Sequence, residues 1–139
     1  TTYTVVTAPG TPGNTITGVF GNAADNAVVA FGGLPFRVTY TAAAVTLTRL
    51  QAPTIMNAPT AATFFTGRAV TFPVTVNGDA TTPVTFAVTG GTLPTGLTLN
   101  ETTGVITGTP TATGTAVVTV TATNAAGGDP ETFTFTVQA

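Results

Sequence analysis

The sequence of 139 residues predicts an all-β protein built from half-buried strands. Three observations indicate this fold class. Apolar and polar residues alternate with a period of two along much of the chain, threonine occurs 37 times, and turns rich in Gly and Pro recur between the alternating stretches. Because threonine is β-branched and suits a pleated, half-exposed surface, we expect strands with one apolar face and one threonine face.

The first 50 residues carry short alternating stretches joined by Gly-Pro-rich linkers. The predicted strands span about residues 2–8, 15–20, 27–31, 36–41 and 45–50, and the linkers are 9–13 and 32–35. A segment of this length is marginal for an independent hydrophobic core. We therefore expect it to pack on the rest of the chain or on a neighbouring subunit.

A boundary follows Leu50, where proline-containing breaks at 51–53 and 57–59 interrupt the alternation. The segments on its two sides differ in their sequence pattern. We predict three parts, namely a small β segment at 1–50, a linker at 51–58 and a second, larger β domain at 59–139.

Beyond the linker, Val, Phe and Ala take the inward positions of the alternation, while most outward positions are threonine. The apolar sets are Val70, Phe72, Val74 and Val76; Val84, Phe86 and Val88; Val118, Val120 and Ala122; and Phe133, Phe135 and Val137. Each set predicts one strand with its apolar face on a shared core.

Two local signals refine the first of these strands. Pro73 has no N–H to donate, so its strand is expected at a sheet edge or at a bulge. Asn77-Gly78 is a strong hairpin signal, and it predicts that the strand before it turns into the strand at 83–89.

Two motifs follow, Leu-Pro-x-Gly-Leu-x-Leu at 93–99 and Thr-Gly-Val-Ile-x-Gly-Thr-Pro at 103–110. In physical terms, the proline and glycine of the first motif set a tight turn and its leucines fill the core. The paired motif resembles the bacterial putative-Ig modules with cadherin-like or dystroglycan-like sandwiches, over residues 53–138. This resemblance implies an Ig-like antiparallel β-sandwich whose structural signature is Leu93, Pro94, Gly96, Leu97, Leu99, Gly104, Val105, Ile106, Gly108 and Pro110.

The first segment resembles the terminal β unit of autotransporter-type passenger repeats. The matching stretches are Tyr3-Thr4-Val5-Val6, Gly18-Val19-Phe20, Phe36-Arg37-Val38-Thr39-Tyr40 and Val45-Thr46-Leu47-Thr48. That family carries an acidic turn where this chain has Ala42-Ala43-Ala44, so an ion-binding turn is not implied here. Both resemblances imply secreted bacterial architecture, such as a stalk, an adhesin or a filament component.

Composition excludes most reaction chemistry. The chain has no Ser, His, Cys, Lys or Trp, and its charged residues are Arg37, Arg49, Arg68, Asp25, Asp79, Glu101, Asp129 and Glu131. This inventory excludes a Ser-His triad, a thiolate nucleophile, a Schiff base and the nitrogen and sulfur ligands of zinc. We therefore expect no enzyme activity, no catalytic residue and no cofactor.

Charge and hydropathy exclude two classes of partner. Three scattered arginines and a net charge of −2 do not provide the basic patch that nucleic acid requires. No apolar run approaches the roughly 18–20 residues of a spanning helix, so we expect no membrane insertion. Because residue 1 begins in strand-like sequence without a signal-peptide pattern, we interpret the sequence as a mature chain or an excised segment.

Two classes of ligand have little support in the residues. Calcium needs about six to eight oxygen ligands, whereas Asp129 and Glu131 form the one close carboxylate pair, which we interpret as solvated charges at a strand start. A carbohydrate site needs aromatic platforms, and with Trp absent these would fall to Tyr3 and Tyr40. The sequon at 100–102 is interpreted as a polar turn. We expect no metal site and find no support for a carbohydrate or host ligand.

The segment Thr1–Ala8 has two interpretations. It alternates as a strand, with Tyr3 and Val5 on one face and Thr4 and Val6 on the other, and it precedes the Gly-Pro-rich hinge at 9–13. It either pairs within its own chain or is donated to the next subunit, where these four residues would mediate assembly.

The leading hypothesis is a non-enzymatic extracellular module that assembles with copies of itself, head to tail, as a subunit or repeat of a bacterial surface filament or stalk. Low charge and threonine-faced strands favour it, because unprotected strand edges pair with one another. The alternative is an adhesive ligand-binding module of a surface or phage fibre. A third class, an accessory domain of a secreted hydrolase, would depend on flanking sequence.

Overall fold

The computed structural model describes residues 27–31, 33–40, 45–57, 60–77 and 83–139. These residues form no helix, and so none that is long and apolar enough to cross a membrane, and the all-β prediction is confirmed. Within these ranges the strands are β1 (Val28–Phe31), β2 (Leu34–Tyr40), β3 (Val45–Arg49), β4 (Ala61–Phe65), β5 (Val70–Pro73), β6 (Thr85–Gly90), β7 (Leu97–Leu99), β8 (Val105–Gly108), β9 (Gly114–Asn124) and β10 (Gly127–Gln138). The chain divides into two units, Thr1–Leu50 and Gln51–Ala139.

The first unit contains an antiparallel sheet in the order β1-β2-β3. Val38 in the central strand is fully buried, and Leu50 N donates a hydrogen bond of 2.9 Å to Pro35 O beyond the end of β3. The strands predicted near 27–31, 36–41 and 45–50 correspond to β1, β2 and β3. Those predicted at 2–8 and 15–20 lie outside the described residues.

The second unit is a sandwich of two sheets. One sheet has the order β4-β10-β9-β6 and the other the order β5-β8-β7. All neighbouring strands are antiparallel except β4 and β10, which run parallel. An isolated antiparallel bridge pairs Ile55 with Val76, beyond the end of β5, and the chain enters the four-stranded sheet as β4 after Ile55. This division of strands is that of an Ig-like sandwich, and it confirms the predicted fold class.

Alternation along the two longest strands builds the core. Val118, Val120 and Ala122 of β9 and Phe133 and Phe135 of β10 have no exposed surface. Because successive side chains of a strand point to opposite faces, the threonines between these residues point away from the core.

Phenylalanines from three strands join the two sheets. The Phe135 ring centroid lies 5.5 Å from that of Phe64 in β4 and 5.3 Å from that of Phe72 in β5. Phe133 lies 5.7 Å from Phe72 in an edge-to-face arrangement, a favoured geometry for aromatic rings. Since β5 belongs to the opposite sheet, this cluster holds the sandwich together.

Two predictions about the strand at 83–89 are wrong. The hairpin signal at Asn77-Gly78 predicts that β5 turns into β6 as its neighbour, but β5 pairs with β8 and β6 pairs with β9. Gly78 itself lies outside the described residues. The strand β6 belongs to the opposite sheet from β5, and its Phe86 joins the core from that side. Val88, expected to face inward, is 38% exposed, and the β6–β9 register shifts between Val88 and Gly90.

Residues 51–57, for which the sequence predicts a linker, make contacts within the second unit. Pro53 and Ile55 are buried, and Met56 N donates a hydrogen bond of 2.9 Å to Thr75 O. These contacts pack the segment beside the chain that follows β5.

The signature residues occupy β7, β8 and the turns beside them. Leu97, Ile106 and Pro110 are buried, whereas Leu93, Pro94, Leu99 and Val105 are half-buried. Gly96 and Gly108 lie where the two strands approach closely, since a Cβ on Gly108 would collide with the Gly96 carbonyl oxygen. Gly104 has a φ of 72°, and a Cβ there would lie 2.8 Å from the Phe86 ring.

We expect Phe135→Ala to lower the free energy of unfolding by about 3–5 kcal/mol, because the truncation leaves a cavity among the phenylalanines of both sheets. Thr136→Ala is the matched control, since the adjacent side chain points outward and its loss should change stability by at most about 0.5 kcal/mol. Urea unfolding followed by far-UV circular dichroism measures both. Equal losses for the two variants would contradict this account of the core.

We expect Gly104→Ala to lower the free energy of unfolding by at least about 2 kcal/mol, because it combines a left-handed backbone with a collision against Phe86. Gly67 separates the two effects. Its φ is 73°, but nothing lies within 4 Å of a Cβ placed there, so Gly67→Ala should cost about 1 kcal/mol from backbone strain alone. The same unfolding measurement compares them, and a smaller loss at Gly104 than at Gly67 would refute the role of the collision.

Candidate assembly surface

The outer face of the four-stranded sheet is uncharged. Its described side chains alternate with the core residues, and they include Ala61, Thr63 and Phe65 of β4; Thr132, Thr134 and Thr136 of β10; Thr115, Val117, Thr119 and Thr121 of β9; and Thr85 and Ala87 of β6. Threonine dominates this face, as the alternation predicts.

Hydroxyl groups on this face pair across strands. The Thr132 and Thr119 hydroxyls lie 3.1 Å apart, and those of Thr89 and Thr121 lie 2.7 Å apart. Cross-strand threonine pairs of this kind contribute modestly to sheet stability. Val117, 59% exposed, lies on the same strand and face as Thr119 and Thr121. The surface is therefore neutral, hydroxyl-rich and partly apolar.

No described outward strand position of this face holds a charged residue, but the Arg68 side chain reaches the face at the end of β4. Arg68 lies in the turn after β4, with its guanidinium carbon 5.7 Å from the Phe65 ring centroid, and Glu101 lies in the turn between β7 and β8. Asp129 and Glu131 occupy the same alternate positions of β10 as the buried phenylalanines. The outward side chains of this face are thus neutral, and the positive charge of Arg68 lies beside Phe65 at the end of β4.

Asp129 has a structural partner instead of the solvated position that the sequence predicts. Its Oδ2 accepts a hydrogen bond of 2.7 Å from Ile55 N, and the side chain is half-buried. Glu131 Oε1 accepts a bond of 3.2 Å from Thr132 N. No group of three or more Asp, Glu, His or Cys residues that could hold a metal ion occurs in the described part of the chain. Asp129 therefore attaches the segment before β4 to β10.

The sequon at 100–102 forms the predicted polar turn. Asn100 Oδ1 accepts hydrogen bonds of 3.0 Å from Thr102 N and 2.9 Å from Thr103 N. The asparagine side chain thus serves the turn itself, as in other Asx turns.

The free edge at the end of β5 is covered by the side chain of Asn57, from the segment before β4. Val74 N donates to Gly104 O at 2.9 Å, so the alternating neighbours Pro73 and Thr75 direct their backbone groups to the free side. Pro73 O accepts a bond of 2.8 Å from Asn57 Nδ2, and Thr75 N donates one of 2.7 Å to Asn57 Oδ1. The predicted edge position of Pro73 is confirmed, and the Asn57 side chain takes the place of a neighbouring strand there.

The edges of β6 and β7 are also restricted. Phe86 N donates a bond of 2.8 Å to Glu101 O, and the register shift after Val88 interrupts the ladder near the end of β6. The strand β7 has three residues, and Leu97 N donates to Pro94 O at 3.0 Å. Neither strand offers a long row of unpaired groups.

The edge of β4 differs, as its ladder with β10 shows. Thr134 N donates to Thr60 O at 2.9 Å, and Thr66 N donates to Gln138 O at 2.8 Å. These two bonds lie at the two ends of the ladder. They show that the even-numbered residues of β4 direct their backbone N–H and C=O groups toward β10. Since backbone groups alternate sides along a strand, the odd-numbered residues direct their N–H and C=O groups to the free side.

Those outward backbone groups belong to Ala61, Thr63 and Phe65. Phe65 O accepts a turn bond of 3.3 Å from Arg68 N, while no described residue pairs with the outward groups of Ala61 or Thr63. The strand reads Ala-Ala-Thr-Phe-Phe, without proline, glycine or charge. Among the edge strands of the second unit that the structure describes, β4 is the one with two successive outward positions, Ala61 and Thr63, that no described residue pairs.

A shallow cleft lies between the turn before β7, the turn before β9 and the end of β10. Its volume is about 280 Å³, and its walls include Thr92, Thr95, Thr113 and Thr115 with Leu93. No lining residue is charged or aromatic. The cleft can therefore offer hydroxyls and apolar contact, but no ring on which a sugar would stack.

The predicted assembly residues Tyr3, Thr4, Val5 and Val6 lie outside the described residues. The open edge at 61–65 is absent from the sequence predictions, because the consecutive apolar residues at 64 and 65 hide its alternation. The outward threonine at position 63 is the signal that would have revealed it.

Comparisons with known proteins agree with this architecture. Two solved structures from Bacteroides fragilis NCTC 9343, a putative alpha-galactosidase/melibiase and a putative alpha-galactosidase, each share 28% sequence identity with this chain at a TM-score of 0.55. Each match covers 62% of this chain and 17% of the other, so the chain corresponds to a small part of either protein. The comparison with curated proteins returns no match.

The family comparison covers most of the second unit. The family described as Putative Ig domain matches residues 52–138. This range includes all the described strands of the sandwich and the bridge between Ile55 and Val76. Ig-like domains of this kind are typical of extracellular and surface proteins. The chain belongs to the Putative Ig domain family.

Proposed function

We propose that this chain is a non-enzymatic extracellular structural module that assembles with copies of itself as a subunit or repeat of a bacterial surface filament or stalk. The observation that carries the proposal is the open, uncharged edge of β4 beside an uncharged sheet face. Natural monomers usually protect such an edge with lysine, proline or a bulge. This strand has none of the three.

Electrostatics favour association as well. A net charge of −2 over 139 residues gives little repulsion between copies. In the second unit, the described charges lie in turns or on the inward side of β10, and of these Arg68 stands over the ring of Phe65 at the end of β4. Contact between copies would then depend on backbone hydrogen bonds and on neutral side chains.

An adhesive ligand-binding module is the second candidate, and the cleft favours it. Its threonine hydroxyls and the absence of charge suit a neutral, hydroxyl-bearing ligand such as a carbohydrate. The two similar solved structures are described as alpha-galactosidases, which makes galactosides the first class to test. As an accessory domain of a secreted hydrolase, this module would hold an enzyme near such a ligand.

We expect the full chain to associate reversibly as its concentration rises from about 1 µM to about 500 µM. Sedimentation velocity would measure the association. Thr63→Lys should weaken it by at least about tenfold, because a lysine on the edge strand is the usual protection against pairing. A chain that stays monomeric throughout this range would contradict the proposal.

Thr107→Lys is the matched control for that experiment. Thr107 is also an exposed, outward threonine, but β8 is the central strand of its sheet and has no free edge. The lysine there should change the dissociation constant by less than about threefold, since it adds the same charge away from the open edge. An equal weakening of self-association in both variants would indicate a general effect of the added charge.

For the adhesive candidate, we expect a galactoside to bind the cleft with a dissociation constant of about 1 mM or tighter. Titration by NMR of the Thr63→Lys variant, with glucosides as the comparison, would detect it. Thr113→Val should weaken binding, because it removes a lining hydroxyl while keeping the β-branched shape. No shift of cleft signals with any sugar would rule this candidate out.

A further inference from the structure

The edge of β4 specifies what kind of partner it can hold. Ala61 and Thr63 each direct an N–H and a C=O away from β10, and Phe65 directs an N–H. These groups alternate donor and acceptor along one line, which is the pattern that an extended peptide backbone satisfies. A side chain or a small ligand would satisfy one or two of them, whereas a strand satisfies the row.

We propose that β4 accepts residues 2–8 of a second copy of this chain as an added edge strand. The inference rests on the proposed self-assembly and names its donor and its acceptor. Strand addition of this kind takes affinity from main-chain hydrogen bonds and specificity from alternate side chains. The added strand completes the sheet as donor-β4-β10-β9-β6.

The donor segment matches the acceptor in length and charge. Residues 3–7, Tyr-Thr-Val-Val-Thr, equal the five residues of β4 in number, and neither segment contains a charge, a glycine or a proline. The segment lies among residues 1–26, outside the part of the chain that the structure describes. The sequence Pro-Gly-Thr-Pro-Gly at 9–13 separates it from the rest of its own unit.

Side-chain alternation assigns a role to each face of the donor. On the inner side of β4, Ala62 and Phe64 are half-buried against the core. Tyr3 and Val5 of the donor would cover this apolar rim, and Thr4 and Val6 would extend the neutral outer face beside Thr63. The donor pattern therefore continues both faces of the acceptor sheet.

The other described edges of the second unit do not accept such a strand. The Asn57 side chain bonds to Pro73 O and Thr75 N beside β5, the Glu101 carbonyl accepts a bond from Phe86 N on the free side of β6, and β7 is three residues long. A donor of five residues would meet filled positions there. The proposal is thus specific to one strand.

Two variants test the donor and the acceptor separately. A variant lacking residues 1–8 keeps the edge and loses the donor. Thr63→Pro keeps the donor and removes one outward N–H, while the ladder to β10 uses only even-numbered residues and stays intact. We expect each variant alone to dissociate at least about tenfold more readily than the full chain in sedimentation velocity.

Thr71→Pro is the matched control for the acceptor variant. Thr71 also directs its N–H away from the neighbouring strand, but it lies on β5. The same substitution at an edge that accepts nothing should leave association within about threefold of the full chain. Loss of association in Thr71→Pro as well would overturn the assignment to β4.

Mixing the two defective variants keeps the test independent of simple misfolding. The variant without residues 1–8 accepts but cannot donate, and Thr63→Pro donates but cannot accept. An equimolar mixture should form one-to-one complexes that grow no further, a result that unfolded chains would not give. Absence of the complex would overturn the proposal.

The outcomes also separate this inference from the proposed function. If the variant lacking residues 1–8 associates as strongly as the full chain, the donor assignment is wrong while self-assembly stands. If Thr63→Pro associates normally, the acceptor assignment is wrong. If the full chain never associates, the proposed function itself fails.

Discussion

The packing of Phe133 and Phe135 between the two sheets is the contact on which the rest of the second unit depends. Both side chains come from β10 and touch Phe72 of the opposite sheet. Because strand positions alternate, burying these two rings turns Thr132, Thr134 and Thr136 outward. The register with β9 then continues the same division across the sheet, so the neutral outer surface is a direct consequence of how the core is packed.

Much of this division can be predicted from the sequence, because local rules decide it. In β9 and β10 the buried positions are Val, Ala or Phe and the outward ones are mostly threonine, so a period of two identifies strand, face and core together. The turn glycines are also recognisable, since Gly104 lies where a larger residue would collide with Phe86. These features concern neighbours in sequence or the space at a single residue.

Other features depend on partners far along the chain, and the sequence does not reveal them. The bond between Ile55 and Asp129 joins residues 74 positions apart, and no local pattern at either end indicates it. The turn signal at Asn77 likewise cannot say which sheet the following strand joins. The open edge of β4 is recognised only in the whole sandwich, where the other three edge strands are restricted by the Asn57 side chain, by the bond from Phe86 N to Glu101 O and by the three-residue length of β7.

The parallel pairing of β4 with β10 has a mechanical consequence. A pull applied through the chain before β4 and after β10 draws the two strands in opposite directions along their length. The ladder from Thr60 to Gln138 is then loaded in shear, so its bonds resist together instead of parting one after another. A sandwich connected in this way is suited to bear tension between the points where its chain enters and leaves.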